Sequence, residues 1–522
     1  MRTGPRRSGR SPRAAHRRRP GWRSARPRPS RSEPASPPAR RSAAVLFALT
    51  LAGALLRFST LGVQSLWFDE SFTILQLRQP LGTFLGDMDL FQATPPLYYL
   101  LAWPWERLVG EGAVGMRALS ALLGTATIPV VFLAARTLFS NAAGLMAAAL
   151  VATSPALVWY SQEARPYALL VLLTAVALLF FARAVDGGGG RDVAGFAVAS
   201  ALAIATHYFA AFLVMPAALW VVWARRDRAA VAALVLPILA GLAVLPLALA
   251  QRARGGGSYI DSTPVPGRAG EIARQFVAGL TLAPGRVLGL LGALLLGAGL
   301  LSALFATRDR SRRSALIVLG LLACAVGIPL LMALGGEDFL LLRNLLYAWV
   351  PLGLAAAAGF AATRVRPFGL VAGGALAVVF AAITVAVALT PSFQRSDWRG
   401  ISEALDREPG ARAIVVQPGW SAAAINVYRE GSYGPPADAP MKVSQVAVLG
   451  PDAPAPAAAE SIRAALPRLR LGRGSVRLGQ TEQIRDLKLL VLNLDPPRVL
   501  TGEQIKRAGL NRGEDTVLFD PR

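Results

Sequence analysis

The sequence predicts a polytopic α-helical membrane protein of about eleven spans that ends in a small C-terminal α/β domain. Three observations predict it. Hydrophobic residues make up 54% of the 522, mean hydropathy is +0.45, and the apolar residues gather in runs of about 18–23, the length that crosses a bilayer. Beyond residue 390 the long runs stop, charge rises, and short apolar stretches take over. The formal charge of +24 is unevenly placed, because residues 1–42 hold fourteen Arg and one acid, which leaves +11 for the remainder. A basic balance confined to a tail argues against a nucleic-acid-binding surface on the folded part.

Residues 1–42, rich in Arg, Pro and Ser, carry too little hydrophobicity to fold and read as a disordered cytoplasmic tail. The tail has no small-residue cleavage site, so 43–62 is predicted to stay as the first span with the Arg-rich side cytoplasmic. The tail then anchors topology rather than binding anionic lipid or nucleic acid. Single spans are predicted near 113–135, 142–160, 168–185, 229–250, 287–306, 314–334, 345–362 and 368–390. The stretch 193–223 is too long for one crossing and lies between Arg191 and the basic run 225–228, which predicts a hairpin with Thr206-His207-Tyr208 at its tip. Arg136, the loops 183–191, 225–228 and 308–313, and Arg364 with Arg366 then share the cytoplasmic side, as the positive-inside rule requires.

The opposite, extracytoplasmic side receives 63–112, 161–167, 251–286, 335–344 and everything after 390, and these are the loops with acids and aromatics. Residues 95–109, interrupted by Pro104 and Glu106 and carrying Tyr98, Tyr99, Trp103 and Trp105, predict a helix lying in the interface. A crossing there would reverse the side of every later loop. The membrane domain is therefore 43–390 and the outer α/β domain 391–522. In the latter, 413–416 and 487–494 read as strands, 461–466 as a helix, and 434–458 as a long Pro- and Ala-rich loop. The single cysteine, Cys324, can make no internal disulfide.

The chemistry is expected at Trp67-Phe68-Asp69-Glu70-Ser71, because carboxylates beside a bilayer are costly to desolvate and tend to mark reaction or transport sites. A carboxylate can take the proton of an attacking hydroxyl while arginines hold a departing anion, which describes group transfer from a phosphate ester. The three lysines, Lys442, Lys488 and Lys506, all lie in the outer domain, so a phosphate at the membrane must be held by Arg. Arg57, Arg117, Arg165 and Arg343 are the candidates, with snorkelling to the interface the competing role for the first two. Glycosidase chemistry needs two separated carboxyl groups, whereas Asp69 and Glu70 are neighbours that point apart in an extended loop. Asp69 is therefore expected as the base and Glu70 as its orienting partner. Glu163, Tyr167, His207, Tyr208 and Tyr98 are expected to line the cavity or meet the acceptor. Asp87-Met88-Asp89 invites comparison with an oxygen-only divalent-cation site, but two acids in a loop are weak grounds and His16 and His207 are the only histidines, so no metal or cofactor is expected.

With these residues in view, the chain resembles the membrane-embedded GT-C glycosyltransferases of the protein O-mannosyltransferase and aminoarabinose-transferase type. The resemblance covers about 43–410. It rests on 65–71, Pro95-Pro96-Leu97-Tyr98-Tyr99, the run 154–167 through Gln162-Glu163-Ala164-Arg165-Pro166-Tyr167, Thr206-His207-Tyr208, Arg343-Asn344-Leu345 and Asp397-Trp398-Arg399. It implies a GT-C-like fold and inverting transfer of a sugar from a polyprenyl-phosphate donor on the outer face, to a glycan, lipid or protein acceptor. The family's acidic first-loop motif maps onto Asp69 and Glu70, and its donor-phosphate arginine onto Arg343. Thr94 stands where relatives often carry His before the paired prolines, which weakens any role assigned there.

A lipid or polysaccharide transporter or flippase is the rival from another class. Such proteins show internal repeats and charges near the bilayer midplane, whereas no repeat is visible and nearly all charges lie at span ends. A nucleotide-dependent enzyme would need a phosphate cradle, and the glycine runs 187–190 and 255–257 lack a following Lys-Ser/Thr.

Overall fold

The computed structural model describes residues 37–88, 92–254, 260, 263–279, 286–451, 453–454, 471, 474–510 and 515–522. Most of the predicted tail, Asp89 and the helix predicted at 461–466 lie outside the described residues. The first helix, α1 (Pro37–Phe58), leads into a loop and then α2 (Phe68–Leu77), α3 (Leu81–Gly86) and α4 (Leu97–Val109). The bundle continues with α5 (Ala113–Leu138), α6 (Asn141–Thr153), α7 (Pro155–Ser161), α8 (Tyr167–Val185), α9 (Gly190–Thr206), α10 (Ala211–Arg225), α11 (Arg228–Ala253) and α12 (Val265–Ala278). It closes with α13 (Arg286–Phe305), α14 (Asp309–Leu334), the single turn α15 (Leu342–Leu345), α16 (Trp349–Phe360) and α17 (Phe368–Leu389).

Among the described residues, eight helices are long and apolar enough to cross a membrane, or nine if the bent pair α6 and α7 forms one span. The expectation of about eleven is thus met in helices but not in full-length spans, because α9 has 17 residues and α16 has 12. The predicted hairpin is present as α9 and α10, with His207 at the turn. Helix α4 has 13 residues, so it is about 20 Å long and cannot cross a core of about 30 Å. Several of the predicted cytoplasmic segments meet one another. Arg225 donates to the Ala184 carbonyl at 3.0 Å and also to that of Gly188, Arg310 pairs with Asp186, and Asn141 donates to Ser42 at 2.7 Å.

The 58° break between α6 and α7 has an identifiable cause. Pro155 lacks the N–H that would bond the Val151 carbonyl, and in a bilayer no water replaces it. Arg57 does so instead: its Nη2 donates to the Val151 carbonyl at 3.0 Å and its Nη1 to those of Ala152 and Gly53 at 3.0 and 2.9 Å. Elsewhere the helices close on small residues. A Cβ on Gly359 of α16 would lie 1.9 Å from the Gly299 carbonyl oxygen of α13, a backbone approach that only glycine permits. Gly359→Ala is expected to force α13 and α16 apart and lower the thermal midpoint of the detergent-solubilised protein, with overpacking of this kind costing about 1–3 kcal/mol. An unchanged midpoint would refute that reading of the contact.

After α17 the chain enters the outer domain through α18 (Trp398–Leu405), β1 (Arg412–Val416), α19 (Ala422–Tyr428), β2 (Met441–Gly450), the hairpin β3 (Ser475–Ile484) and β4 (Leu487–Leu500), α20 (Gly502–Arg507) and β5 (Thr516–Asp520). The sheet order is β3-β4-β2-β1-β5, with β1 parallel to β2 and the other pairs antiparallel. The loop predicted at 434–458 is corrected, since it contains the central strand β2. Its buried run from Val446 to Leu449 pairs with neighbours on both sides, and the flanking Pro and Ala residues hid it.

The sheet domain sits directly on the loop that carries the acidic pair. The Leu66 N–H donates to the Tyr428 hydroxyl at 2.7 Å, Ser65 Oγ donates to Asp397 Oδ1 at 2.5 Å, and the rings of Phe68 and Trp420 lie 4.5 Å apart.

Candidate active site

Asp69 and Glu70 lie not in an extended loop but in the first turn of α2. Adjacent helical positions still diverge by about 100°, and their fates separate accordingly. Asp69 keeps 15% of its side chain exposed and pairs through Oδ2 with Arg343 Nη1 at 3.2 Å, on a side chain that is 21% exposed. The two residues are 274 positions apart. Arg343 is presented by the single turn α15, where Asn344 donates to the Phe339 carbonyl at 2.8 Å and shapes the loop.

Glu70 has no exposure. Its oxygens accept from Arg117 Nε at 2.8 Å, Arg117 Nη2 at 2.6 Å and the Ala164 N–H at 3.0 Å. Burial raises its pKa, but the charge and hydrogen bonds of Arg117, with Arg395 and the Ala164 amide, outweigh burial and hold it below the usual carboxylate value. Arg117 donates also to the carbonyls of Leu61, Gln64 and Ser65 at 2.7, 2.8 and 2.8 Å. Glu70 and Arg117 therefore knot the loop in front of Asp69 and face no ligand. Glu70, expected as the orienting partner of Asp69, is fixed by Arg117, and the donors of Arg117, expected to hold a phosphate, go to Glu70 and to the loop. Arg57, the other candidate near a span end, is fully buried and bonded to carbonyls and to Ser161 Oγ at 3.2 Å.

Arg165 stays beside the site. Its Nη1 donates to Thr73 Oγ1 at 3.1 Å and Gln92 Oε1 at 2.7 Å, its Nε is buried without a partner, and its guanidinium lies 6.0 Å from the Tyr99 ring centre. Gln92, which also accepts from the Tyr99 hydroxyl, is a polar hub that sequence reasoning missed. Thr94 bonds the same hydroxyl at 3.1 Å.

Glu163 pairs with Arg395 rather than with Arg165. Its Oε1 accepts from Arg395 Nη2 at 2.7 Å and Trp159 Nε1 at 3.0 Å, whereas Oε2 is buried without a partner. Burial pushes its pKa up to about 7 against the pull of Arg395, with Glu70 and Asp69 pushing the same way as burial. Tyr167 lies within electrostatic reach of Asp69, Glu163, Arg165 and Arg343.

His207 is buried, and desolvation pulls its pKa down to about 4, so its imidazole is neutral at ordinary pH. Nδ1 accepts from the Phe209 N–H at 3.3 Å, which assigns the proton to Nε2. Tyr98 and Tyr208 lie off the centre. Tyr98 bonds Ser120 Oγ at 3.3 Å, and the Tyr208 hydroxyl donates to Gln251 Oε1 at 2.9 Å. Among the described residues no group of three or more His, Cys, Asp or Glu is placed to hold a metal, and the Asp87-Met88-Asp89 motif falls partly outside them.

An open apolar groove runs between α1, α7, α12 and α17, lined by Leu56, Val158, Ala278 and Val387, with Thr60, Gln64, Gln162 and Thr384 among its polar members. Trp159 lines it and also donates to Glu163. The groove thus ends one side chain from the acids.

Comparison with known proteins places this arrangement. The fold, a helical membrane bundle capped by a small sheet domain, is shared by solved structures of ArnT. In particular, apo ArnT from Cupriavidus metallidurans, 12% identical, aligns over 91% of this chain and 100% of its own with a TM-score of 0.53. ArnT of the same organism bound to undecaprenyl phosphate, 13% identical, aligns over 87% and 98% with a TM-score of 0.50. At such identities the likeness establishes the fold. By sequence, residues 93–250 match the dolichyl-phosphate-mannose-protein mannosyltransferase family; no curated protein matches.

Proposed function

We propose that this protein transfers a sugar from a polyprenyl-phosphate donor to an acceptor hydroxyl on the extracytoplasmic face, with inversion. The observation that carries the reading is the partly exposed Asp69–Arg343 pair, two opposite charges brought together at one end of a membrane bundle from distant parts of the chain. Asp69 takes the proton of the attacking hydroxyl. The acceptor oxygen forms its bond to the anomeric carbon as the bond from that carbon to the phosphate oxygen breaks, so a single displacement inverts the centre. The departing phosphate is already a stable anion and needs no general acid. Arg343 and Arg165 supply permanent positive charge beside it. The undecaprenyl phosphate bound by ArnT of the same fold supports a donor of that chemistry, and the apolar groove at Trp159 offers a surface for its chain. The basic loops at the other end of the bundle support an outward-facing site with the N-terminus cytoplasmic in the cell membrane.

The test is transfer by the purified protein from defined polyprenyl-phosphate sugars. Arg343→Ala is expected to weaken donor binding by about tenfold or more, since a charge-assisted hydrogen bond contributes about 1.5–3 kcal/mol. Unchanged affinity for the lipid-linked sugar would remove Arg343 from the phosphate site. Movement of lipid across vesicles without any sugar transfer would favour a flippase.

A further inference from the structure

Arg395 lies in the connector between α17 and α18, yet its side chain enters the membrane domain, where only 9% of the residue is exposed. Its Nη2 is 2.7 Å from Glu163 Oε1, and its Nη1 is 3.6 Å from Glu70 Oε2 and donates to the Gln162 carbonyl at 3.3 Å. The guanidinium stands 4.5 Å from the Trp159 ring centre and 5.8 Å from that of Trp67, which fixes its plane. The backbone is held from both domains: its N–H donates to Gln64 Oε1 at 3.1 Å, and its carbonyl accepts from Arg485, in the turn between β3 and β4, at 2.8 Å.

One head group therefore joins the two buried acids that flank Asp69, and its main chain is gripped by the outer sheet. We propose that Arg395 is a positioning residue for the transfer reaction: it holds Glu163 through Oε1, leaves Oε2 for the acceptor hydroxyl, and makes this geometry depend on docking of the outer domain. The proposal deepens the transferase reading and rests on it. A purely structural role for Arg395 would be to fasten the two domains, so the test must read something that fastening does not change.

The protonation of Glu163 is such a quantity. Asp69 and Glu70 from α2 face it, as do Arg117 from α5, Tyr160 from α7, Tyr167 from α8, Arg343 from α15 and Arg395 from the connector. Burial and the two acids push its pKa up, and Arg395 opposes them most strongly. Removing Arg395 must therefore raise it further. The experiment is an infrared titration of the Glu163 carboxyl in the full-length detergent-solubilised protein, taken as the difference from Glu163→Gln, beside the pH–rate profile of transfer.

In Arg395→Gln the Glu163 titration, and the limb of the rate profile that Glu163→Gln abolishes, should both move up by about one pH unit or more. Arg395→Lys should restore part of the shift, and it serves as the reporting variant if Arg395→Gln does not purify as a monodisperse species. In the Glu163→Gln background, Arg395→Gln should slow transfer by less than about threefold. Tyr428→Phe, which breaks a different bond between the domains, should leave the titration in place. An unmoved titration in Arg395→Gln, or an equal shift in Tyr428→Phe, overturns the proposal. A shifted titration in a protein that transfers no sugar from any polyprenyl-phosphate donor upholds the coupling and rejects the transferase reading.

Discussion

Asp69→Asn is expected to abolish sugar transfer while the protein still folds, purifies as a single species and binds lipid phosphate. A positioned general base contributes about 10²- to 10⁴-fold to such a step, and the amide cannot take the proton. Asn can still accept a hydrogen bond from Arg343, so the 3.2 Å contact that joins α2 to α15 has a substitute. Donor affinity should accordingly stay within about threefold of the parent protein, because no charged partner of the phosphate is lost. The signature is a fall in kcat with little change in donor KM. Ordinary turnover by a purified Asp69→Asn protein would reject the base assignment, and a collapse of donor binding would move Asp69 from the acceptor side to the donor side.

The site was legible in the sequence only in part, and the reason differs from residue to residue. Bilayer thickness imposes a length on apolar runs, so the helices could be read, and the charges flanking 193–223 marked the hairpin that carries His207. Nothing in spacing joins Asp69 to Arg343; the order of motifs along the chain did, through resemblance. What Arg57 and Arg117 bond could not be read from their positions, for a physical reason. An arginine near a span end looks the same in sequence whether its fork reaches a phosphate or, as here, carbonyls stranded by Pro155 and by the 61–65 turn. Arg395 and Gln92 carry no periodic signal, since their partners arrive from other segments. The signal that could have found Arg395 is its place six residues past the last span, where a lone cation precedes the outer domain.

The second large effect is expected at Arg117, where loss of one side chain should disorganise the whole first loop. Its guanidinium donates to both oxygens of Glu70 and to three carbonyls of the turn at 61–65, and both side chains of the pair are at most 1% exposed. Arg117→Met leaves Glu70 charged, buried and short of its main partner. Breaking a buried pair from one side costs about 3–5 kcal/mol, so a marked fall in thermal midpoint and in yield of folded protein is expected. Arg117→Lys should rescue little, because an ammonium cannot reach a carboxylate side-on and three divergent carbonyls at once. The double variant Glu70→Gln/Arg117→Met should be more stable than Arg117→Met alone, since the stranded charge is gone. If the single and double variants melt together, the loop is held by something other than this pair. Because Asp69 follows directly on that loop, the single variant should lose transfer in proportion to the folded fraction, with kcat per folded molecule falling as well once α2 can shift away from Arg343.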